Sequence, residues 1–95
     1  MRYLKVQWHH DDPDEPVVLY SEIDAQRYET RKVEEYADGR LDHADAIHES
    51  GTTFLGEAPV PPLDEIAEQG EFTPVETTQD EFELVWHRAT NSACR

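Results

Sequence analysis

Residues 28–46 read Tyr-Glu-Thr-Arg-Lys-Val-Glu-Glu-Tyr-Ala-Asp-Gly-Arg-Leu-Asp-His-Ala-Asp-Ala, and the fold class depends on how they are interpreted. The Arg, Lys and Glu content of the first half suits a helix, but Asp38-Gly39 follows immediately. An Asp-Gly pair between two extended runs favours a β-hairpin, because a type I′ turn needs positive φ at both positions. We therefore predict a strand over Tyr28–Ala37 that pairs with a strand over Arg40–Ala46.

The residues before this hairpin predict two further strands. Apolar and polar side chains alternate over Tyr3–Trp8, a pattern typical of a half-buried strand. Val17–Ile23 reads as the second strand, after a polar loop over residues 9–16 that contains two prolines. On the other side of the hairpin, Thr52–Leu55 is the candidate for a short fifth strand.

Two short helices are predicted near the C-terminus. Pro62 fits the first turn of one helix, and Gly70 is a natural stop for it. The other helix begins at the capping box Thr78-Gln79-Asp80-Glu81, after which apolar residues follow at helical spacing. Strands first and helices last predict an α+β fold, with an antiparallel sheet of four to five strands followed by two short helices packed on one face. We expect one domain over residues 1–90 and a disordered tail over 91–95.

The charge of the chain is strongly acidic, with a formal net charge of -14 over 95 residues. Residues 41–87 contain twelve Asp and Glu but no Lys or Arg. Such a surface excludes nucleic-acid phosphates as the default partner and points to a basic protein. High-salt or high-GC ancestry is an alternative source of the acidity, because only two of the eight basic residues are lysine.

The apolar residues and the lengths of their runs predict where the protein is located in the cell. Apolar residues make up 37% of the chain, and neither a signal-peptide core nor a run of membrane-spanning length occurs. The sequence therefore predicts a cytoplasmic protein without a membrane partner. An open antiparallel sheet has unpaired edges, so homo-oligomerisation through a sheet edge stays open as a further prediction.

Motifs for catalysis or metal binding are weak. His9-His10-Asp11-Asp12 has suitable ligand types, but no C-x-x-C or H-x-x-x-H spacing supports it, so we predict a solvated loop. There is no G-x-S-x-G motif, and Cys94 near the C-terminus is a poor nucleophile. The sequence thus predicts no catalytic residue, no metal and no cofactor.

The leading functional hypothesis is a non-catalytic, immunity- or inhibitor-like protein that binds a basic partner such as a nuclease toxin. Its binding carboxylates would come from the first loop and the helical half: Asp11, Asp12, Asp14, Glu15, Asp64, Glu65, Glu68, Asp80 and Glu83. The alternative is a small ligand-binding or enzymatic domain with a polar pocket on the sheet. That pocket would use Trp8, His10, Tyr20, Glu22, Arg27, Arg31 and Lys32. A third hypothesis is an acidic mimic of DNA.

The basic residues among these candidates also have a simpler interpretation. They can form cross-strand ion pairs with Glu22, Glu34 or Asp42 that contribute only tenths of a kcal/mol each. In a regular strand, Arg31 and Lys32 would point to opposite faces of the sheet.

Much of the chain resembles a family of small, acidic, uncharacterised bacterial domains. The similarity runs through Lys5-Val6-Gln7-Trp8-His9-His10-Asp11, Leu19-Tyr20-Ser21-Glu22-Ile23-Asp24 and Arg31-Lys32-Val33-Glu34. The pattern is carried by Trp8, His10, Pro13, Glu15, Pro16, Tyr20, Glu22, Arg27, Arg31 and Lys32. The resemblance implies one intact domain and no established activity, and an immunity or antitoxin role follows from it only by analogy.

Overall fold

The computed structural model describes residues 1–45, 55 and 59–92. Its strands are β1 (Arg2–Trp8), β2 (Val18–Ile23), β3 (Glu29–Glu35), β4 (Leu41–Asp45) and β5 (Phe72–Thr77), and its helices are α1 (Leu63–Ala67) and α2 (Gln79–Ser92). Five antiparallel strands and two helices confirm the predicted α+β class. In the described ranges, no helix is both long enough and apolar enough to cross a membrane.

The sheet has the strand order β4-β3-β2-β1-β5, so β4 and β5 are its outer strands. The strand β5, which lies between the two helices in the chain and pairs antiparallel with β1, was not predicted from the sequence. Pro74 argues against a central strand, because proline has no N–H to donate to a neighbour. An outer strand tolerates it, since one side of that strand has no partner to pair with. Of the candidate strand Thr52–Leu55, only Leu55 is among the described residues, and it is not in a strand.

The predicted hairpin between β3 and β4 is confirmed, although its turn differs from the expected one. The Tyr36 N–H donates to the Arg40 carbonyl at 2.9 Å, and the Gly39 N–H donates to the Tyr36 carbonyl at 2.9 Å. Gly39 has a φ of +90°, whereas Asp38 does not have positive φ. The connection is therefore a three-residue loop with a left-handed glycine at its end, and the type I′ prediction is wrong.

The two helices lie on opposite faces of the sheet, whereas the sequence analysis placed both on one face. On the α2 face, Val85 and Ala89 pack with Val33 in the buried core. On the other face, Ile66 of α1 lines a cavity together with Leu4 and Val6 of β1. The outer strand β5 lies between the helices in sequence, and this allows the chain to pass around the sheet edge from one face to the other.

A β-bulge between β2 and β3 determines which polar side chains share a face. Glu22 pairs with Arg31 and Ile23 pairs with Glu29, which leaves Thr30 as an extra residue in β3. A bulge of this kind interrupts the alternation of side chains between faces. As a result Thr30 and Arg31 both reach Glu22, while Glu29 lies on the face of Lys32.

The N-terminus of α2 follows the predicted capping box in part. The Thr78 hydroxyl accepts a hydrogen bond from the Glu81 N–H at 3.2 Å, which satisfies one of the unpaired donors of the first turn. The Glu81 carboxylate accepts from the Thr77 hydroxyl and not from the Thr78 N–H. At its other end α2 continues through Ser92, two residues into the segment predicted to be a disordered tail.

Candidate functional site

The residues proposed for a polar pocket do not gather around one site. Glu22 and Arg31 meet on the α2 face, with Tyr20 nearby on the same face. Lys32 lines a cavity on the opposite face. The other three candidates lie elsewhere: Trp8 and His10 at the end of β1, and Arg27 beside residues 60 and 61. A single pocket that uses all seven residues is therefore not formed.

The guanidinium of Arg31 lies between two carboxylates. Its Nε and Nη2 donate to Glu22 at 2.9 and 2.7 Å, and its Nη1 and Nη2 donate to Glu83 at 3.0 and 2.6 Å. The same group lies over the rings of Phe82 and Trp86, 5.0 and 5.1 Å from their centroids. We call Glu22, Arg31 and Glu83 the Arg31 cluster. It joins β2, β3 and α2 through paired hydrogen bonds, the strongest geometry open to arginine and carboxylate.

The electrostatics of the Arg31 cluster indicate a structural role. The Glu22 side chain is only 9% exposed, and it also accepts from the hydroxyls of Tyr3 and Thr30 at 2.9 and 2.8 Å. Hydrogen bonds from Arg31, above all, lower the pKa of Glu22 to about 2. The Arg31 hydrogen bonds also lower the pKa of Glu83, and burial raises the pKa of Tyr3. Both carboxyls are thus held ionised, so neither is suited to deliver a proton near neutral pH.

Arg27 fixes the segment that precedes α1. Its Nε donates to the Val60 carbonyl at 2.6 Å and its Nη2 donates to the Pro61 carbonyl at 2.8 Å. The Arg27 carbonyl in turn accepts from the Val60 N–H at 2.7 Å. Arg27 has a φ of +69°, an uncommon conformation for a residue other than glycine. These contacts account for this basic residue without a ligand.

The loop Asp11–Glu15, here called the acidic loop, is fixed by its own hydrogen bonds. His10 Nδ1 accepts from the Asp12 N–H at 3.0 Å, so its other nitrogen, Nε2, donates to the Pro16 carbonyl at 2.7 Å. One oxygen of Asp12 accepts from the Asp14 N–H at 2.9 Å. The His10 ring packs against Trp8 with 4.3 Å between the ring centroids. The imidazole therefore connects both ends of a loop whose four carboxylates are all exposed.

The other predicted binding carboxylates have different environments. Asp64, Glu65 and Glu68 are exposed on or directly after α1, and Asp80 is exposed in the first turn of α2. Glu83 is half-buried and paired with Arg31. Over the described residues, twelve acidic residues but only three basic residues are exposed. The exposed basic residues are Arg2, Arg40 and Arg88.

No metal site is visible in the ranges that the structure covers, where no cluster of three or more His, Cys, Asp or Glu side chains could hold an ion. His9 and His10 make separate contacts, because His9 Nε2 lies 2.7 Å from the Thr73 hydroxyl while His10 bonds within the loop. The structure gives no reason to assign a cofactor to these residues.

Two polar residues beside the candidate sites were not predicted from the sequence. Glu71 accepts from the Trp8 indole at 3.4 Å, and Glu29 accepts from the Ser21 hydroxyl at 2.9 Å. Strict alternation along β3 would have placed Glu29 on the face of Arg31, and only the bulge moves it to the other face. The adjacency of Glu71 to Trp8 depends on β5, which the pattern did not reveal.

Comparison with known proteins places the chain in a family but assigns it no activity. The chain matches no curated protein and no solved structure. A family model described as Domain of unknown function (DUF6881) matches residues 2–91, so the chain belongs to this family, and the expectation of an uncharacterised family is confirmed.

Proposed function

We propose that this protein is a non-catalytic interaction module that binds a basic protein partner through its acidic surface. The observation that carries the proposal is the excess of exposed acidic residues, twelve against three basic ones, in the part of the chain that the structure describes. Arg31 and Arg27 add little positive charge to the outer surface. Arg31 is paired with carboxylates of the protein, and Arg27 donates to backbone carbonyls. A surface of this kind attracts cationic partners and accelerates their association.

The acidic loop is the part of this surface best suited to dock a partner. Because His10 connects its two ends, the four carboxylates lose little conformational freedom when a partner binds. Trp8 lies next to the loop and is only partly buried, and tryptophan is a frequent energetic centre of interfaces. Asp64, Glu65 and Glu68 on and after α1 add further negative charge.

The partner class follows from this charge. A nuclease is a suitable partner, because its own substrate-binding surface must attract phosphates and is therefore basic. An immunity or antitoxin role in the bacterial cytoplasm would combine such a partner with the family resemblance. The polar-pocket alternative loses support, since its residues lie apart on two faces of the sheet.

Binding to a cationic probe tests the proposal. We expect labelled oligolysine to bind the chain at about 0.05 M salt and to dissociate at about 0.5 M salt. The double variant Asp14→Asn/Glu15→Gln should bind about three- to tenfold more weakly. The double variant Asp38→Asn/Glu76→Gln has the same net charge and should bind like the wild type. Equal losses in the two variants, or affinity that is insensitive to salt, would refute a defined docking surface.

A second comparison separates loop geometry from charge. His10→Ala removes the hydrogen bonds that connect the two ends of the acidic loop but leaves its carboxylates intact. We expect it to weaken oligolysine binding, whereas His9→Ala, which removes a contact to Thr73, should not. Identical affinities for the two histidine variants would show that the arrangement of the loop does not matter.

A further inference from the structure

A cavity of about 190 Å³ lies on the α1 face of the sheet, away from the Arg31 cluster. An apolar cavity of about 150 Å³ is large enough to hold benzene, so this one has room for a single ring with a short substituent. The apolar part of its wall comes from Leu4, Val6, Leu19, Val60, Ile66 and Phe72.

One side of the cavity wall is polar and carries a cation. Ser21 and Lys32 face each other across β2 and β3, and both line the cavity together with Glu29. The Ser21 hydroxyl donates to Glu29 at 2.9 Å, which holds that carboxylate in place. Lys32 Nζ lies 3.7 Å from the nearest Glu29 oxygen, a distance that makes an ion pair but is too long for a hydrogen bond.

Among the described residues, the ammonium of Lys32 therefore has an ion-pair partner in Glu29 and spare hydrogen-bonding capacity. Its side chain is 19% exposed, so water reaches it only in part. Over the described ranges, no oxygen lies within hydrogen-bond distance of Nζ, although an ammonium can donate three bonds. Because no buried side-chain nitrogen or oxygen in the described ranges lacks a partner, the Lys32 ammonium is open to water, and a ligand carboxylate would take the place of that water as an acceptor.

We propose that this cavity binds a small monocarboxylic acid with an apolar body, such as a single-ring aryl acid. The carboxylate would accept from Lys32 Nζ, and the ring would fill the space between β1, β2 and α1. A monoanion fits better than a phosphate, because Glu29, 3.7 Å from Lys32 Nζ, already offsets much of the lysine charge and leaves little attraction for a dianion. The ring requirement follows from the volume and the apolar wall.

This site is independent of the proposed docking surface. It contains none of the carboxylates of the acidic loop, and its ligand has the opposite charge to the basic partner proposed above. Loss of oligolysine binding therefore tests one proposal, and loss of aryl-acid binding tests the other.

Phenylacetate is the test ligand. Phenethylamine is the control with a positive charge, and toluene is the control with an aromatic ring but no charge. We expect phenylacetate to bind with a dissociation constant of about 1 mM, the range open to a ligand of this size. Phenethylamine should bind at least about tenfold more weakly. The measurement is titration by heteronuclear NMR, in which the amides of Leu4, Leu19, Ser21 and Lys32 should shift.

Two lysine variants provide the control. Lys32→Met should weaken phenylacetate binding about tenfold while leaving toluene binding unchanged, and Lys32→Arg should restore part of it. Lys5→Met removes a comparably half-buried lysine from the opposite face, where Nζ lies 5.7 Å from the centroid of the Tyr20 ring, and should have no effect. Equal binding of the acid and the amine, shifts confined to other residues, or undiminished acid binding in Lys32→Met would each overturn the proposal.

Discussion

Replacing Arg31 with methionine removes the cation that holds the Glu22 carboxylate but keeps much of the apolar volume of the side chain. In this variant Glu22, 9% exposed, would keep the hydroxyls of Tyr3 and Thr30 as its side-chain donors among the described residues. Breaking a buried ion pair on one side costs about 3–5 kcal/mol, because the remaining charge is left unpaired. The lowering of the Glu22 pKa from 4.5 to about 2 corresponds to about 3 kcal/mol. Since the Arg31 side chain is 21% exposed, we expect the lower value, about 3 kcal/mol.

The pH dependence of this loss has a definite sign. In the wild type the folded-state pKa of Glu22 lies below its unfolded-state pKa. Ionised Glu22 therefore contributes to the free energy of unfolding when the pH is above the unfolded-state pKa. The contribution is lost as the pH falls from 4.5 towards 2. Without Arg31, burial of the Glu22 carboxyl opposes the two remaining hydroxyl hydrogen bonds, so its folded-state pKa lies above the wild-type value and the variant gains less stability from ionised Glu22 as the pH rises. The difference in the free energy of unfolding between the wild type and Arg31→Met should therefore be large near neutral pH and small at low pH.

Urea unfolding followed by circular dichroism measures this difference at neutral pH and at about pH 3. Arg2→Met is the matched control, because the Arg2–Glu76 pair is exposed (56% and 47%) and should contribute less than about 1 kcal/mol. Adding Glu22→Gln to Arg31→Met should recover part of the loss, since an amide buries no charge. If Arg31→Met were no more damaging than Arg2→Met, or equally damaging at both pH values, the account of Glu22 as a buried, paired carboxylate would be refuted.

Three further substitutions test the fold through the same unfolding measurement. Gly39→Ala should cost about 1–2 kcal/mol from backbone strain alone, because φ is +90° and an added Cβ would meet no described residue beyond its chain neighbours within 4 Å; an unchanged midpoint would contradict the left-handed turn. Thr78→Ala should cost about 1 kcal/mol and Thr78→Ser should be close to neutral, whereas equal losses would exclude the hydroxyl cap on Glu81. Phe82→Ala should cost about 3–5 kcal/mol, because its ring is fully buried beside Tyr3; a loss below 1 kcal/mol would show that α2 does not complete the core.

Local patterns in the sequence account for most of the fold. The alternation over Tyr3–Trp8, the Asp38-Gly39 turn and the cap at Thr78 each predict an element that the structure contains. These signals depend on neighbours in the chain, so one sequence is sufficient to recognise them. The strand β5 was missed because its stability comes from pairing with β1, which is distant in sequence, and because Pro74 disfavours it locally.

The candidate sites, like the fold, were predicted from the sequence only in part. The acidic surface follows from composition, since charged side chains seldom lie fully buried and an excess of carboxylates must therefore reach the surface. The pairing of Arg31 with Glu22 was also among the expected cross-strand contacts, and the structure contains it, but the expected contribution of tenths of a kcal/mol is too small for a Glu22 side chain that is only 9% exposed. The sequence did not predict that Glu83 from α2 would complete the cluster, because that contact requires the helix to be packed on the sheet.

The sequence by itself determined the α+β class, the acidic surface and the assignment of Arg31 and Lys32 to opposite faces. Only the tertiary structure decided that the seven pocket candidates are separated, that the helices lie on opposite faces, and that Glu29 shares a face with Lys32. The physical reason is that one extra residue in β3, Thr30, breaks the two-residue period on which sequence patterns rely. Such a bulge depends on the register between β2 and β3, which becomes fixed only when the whole sheet packs.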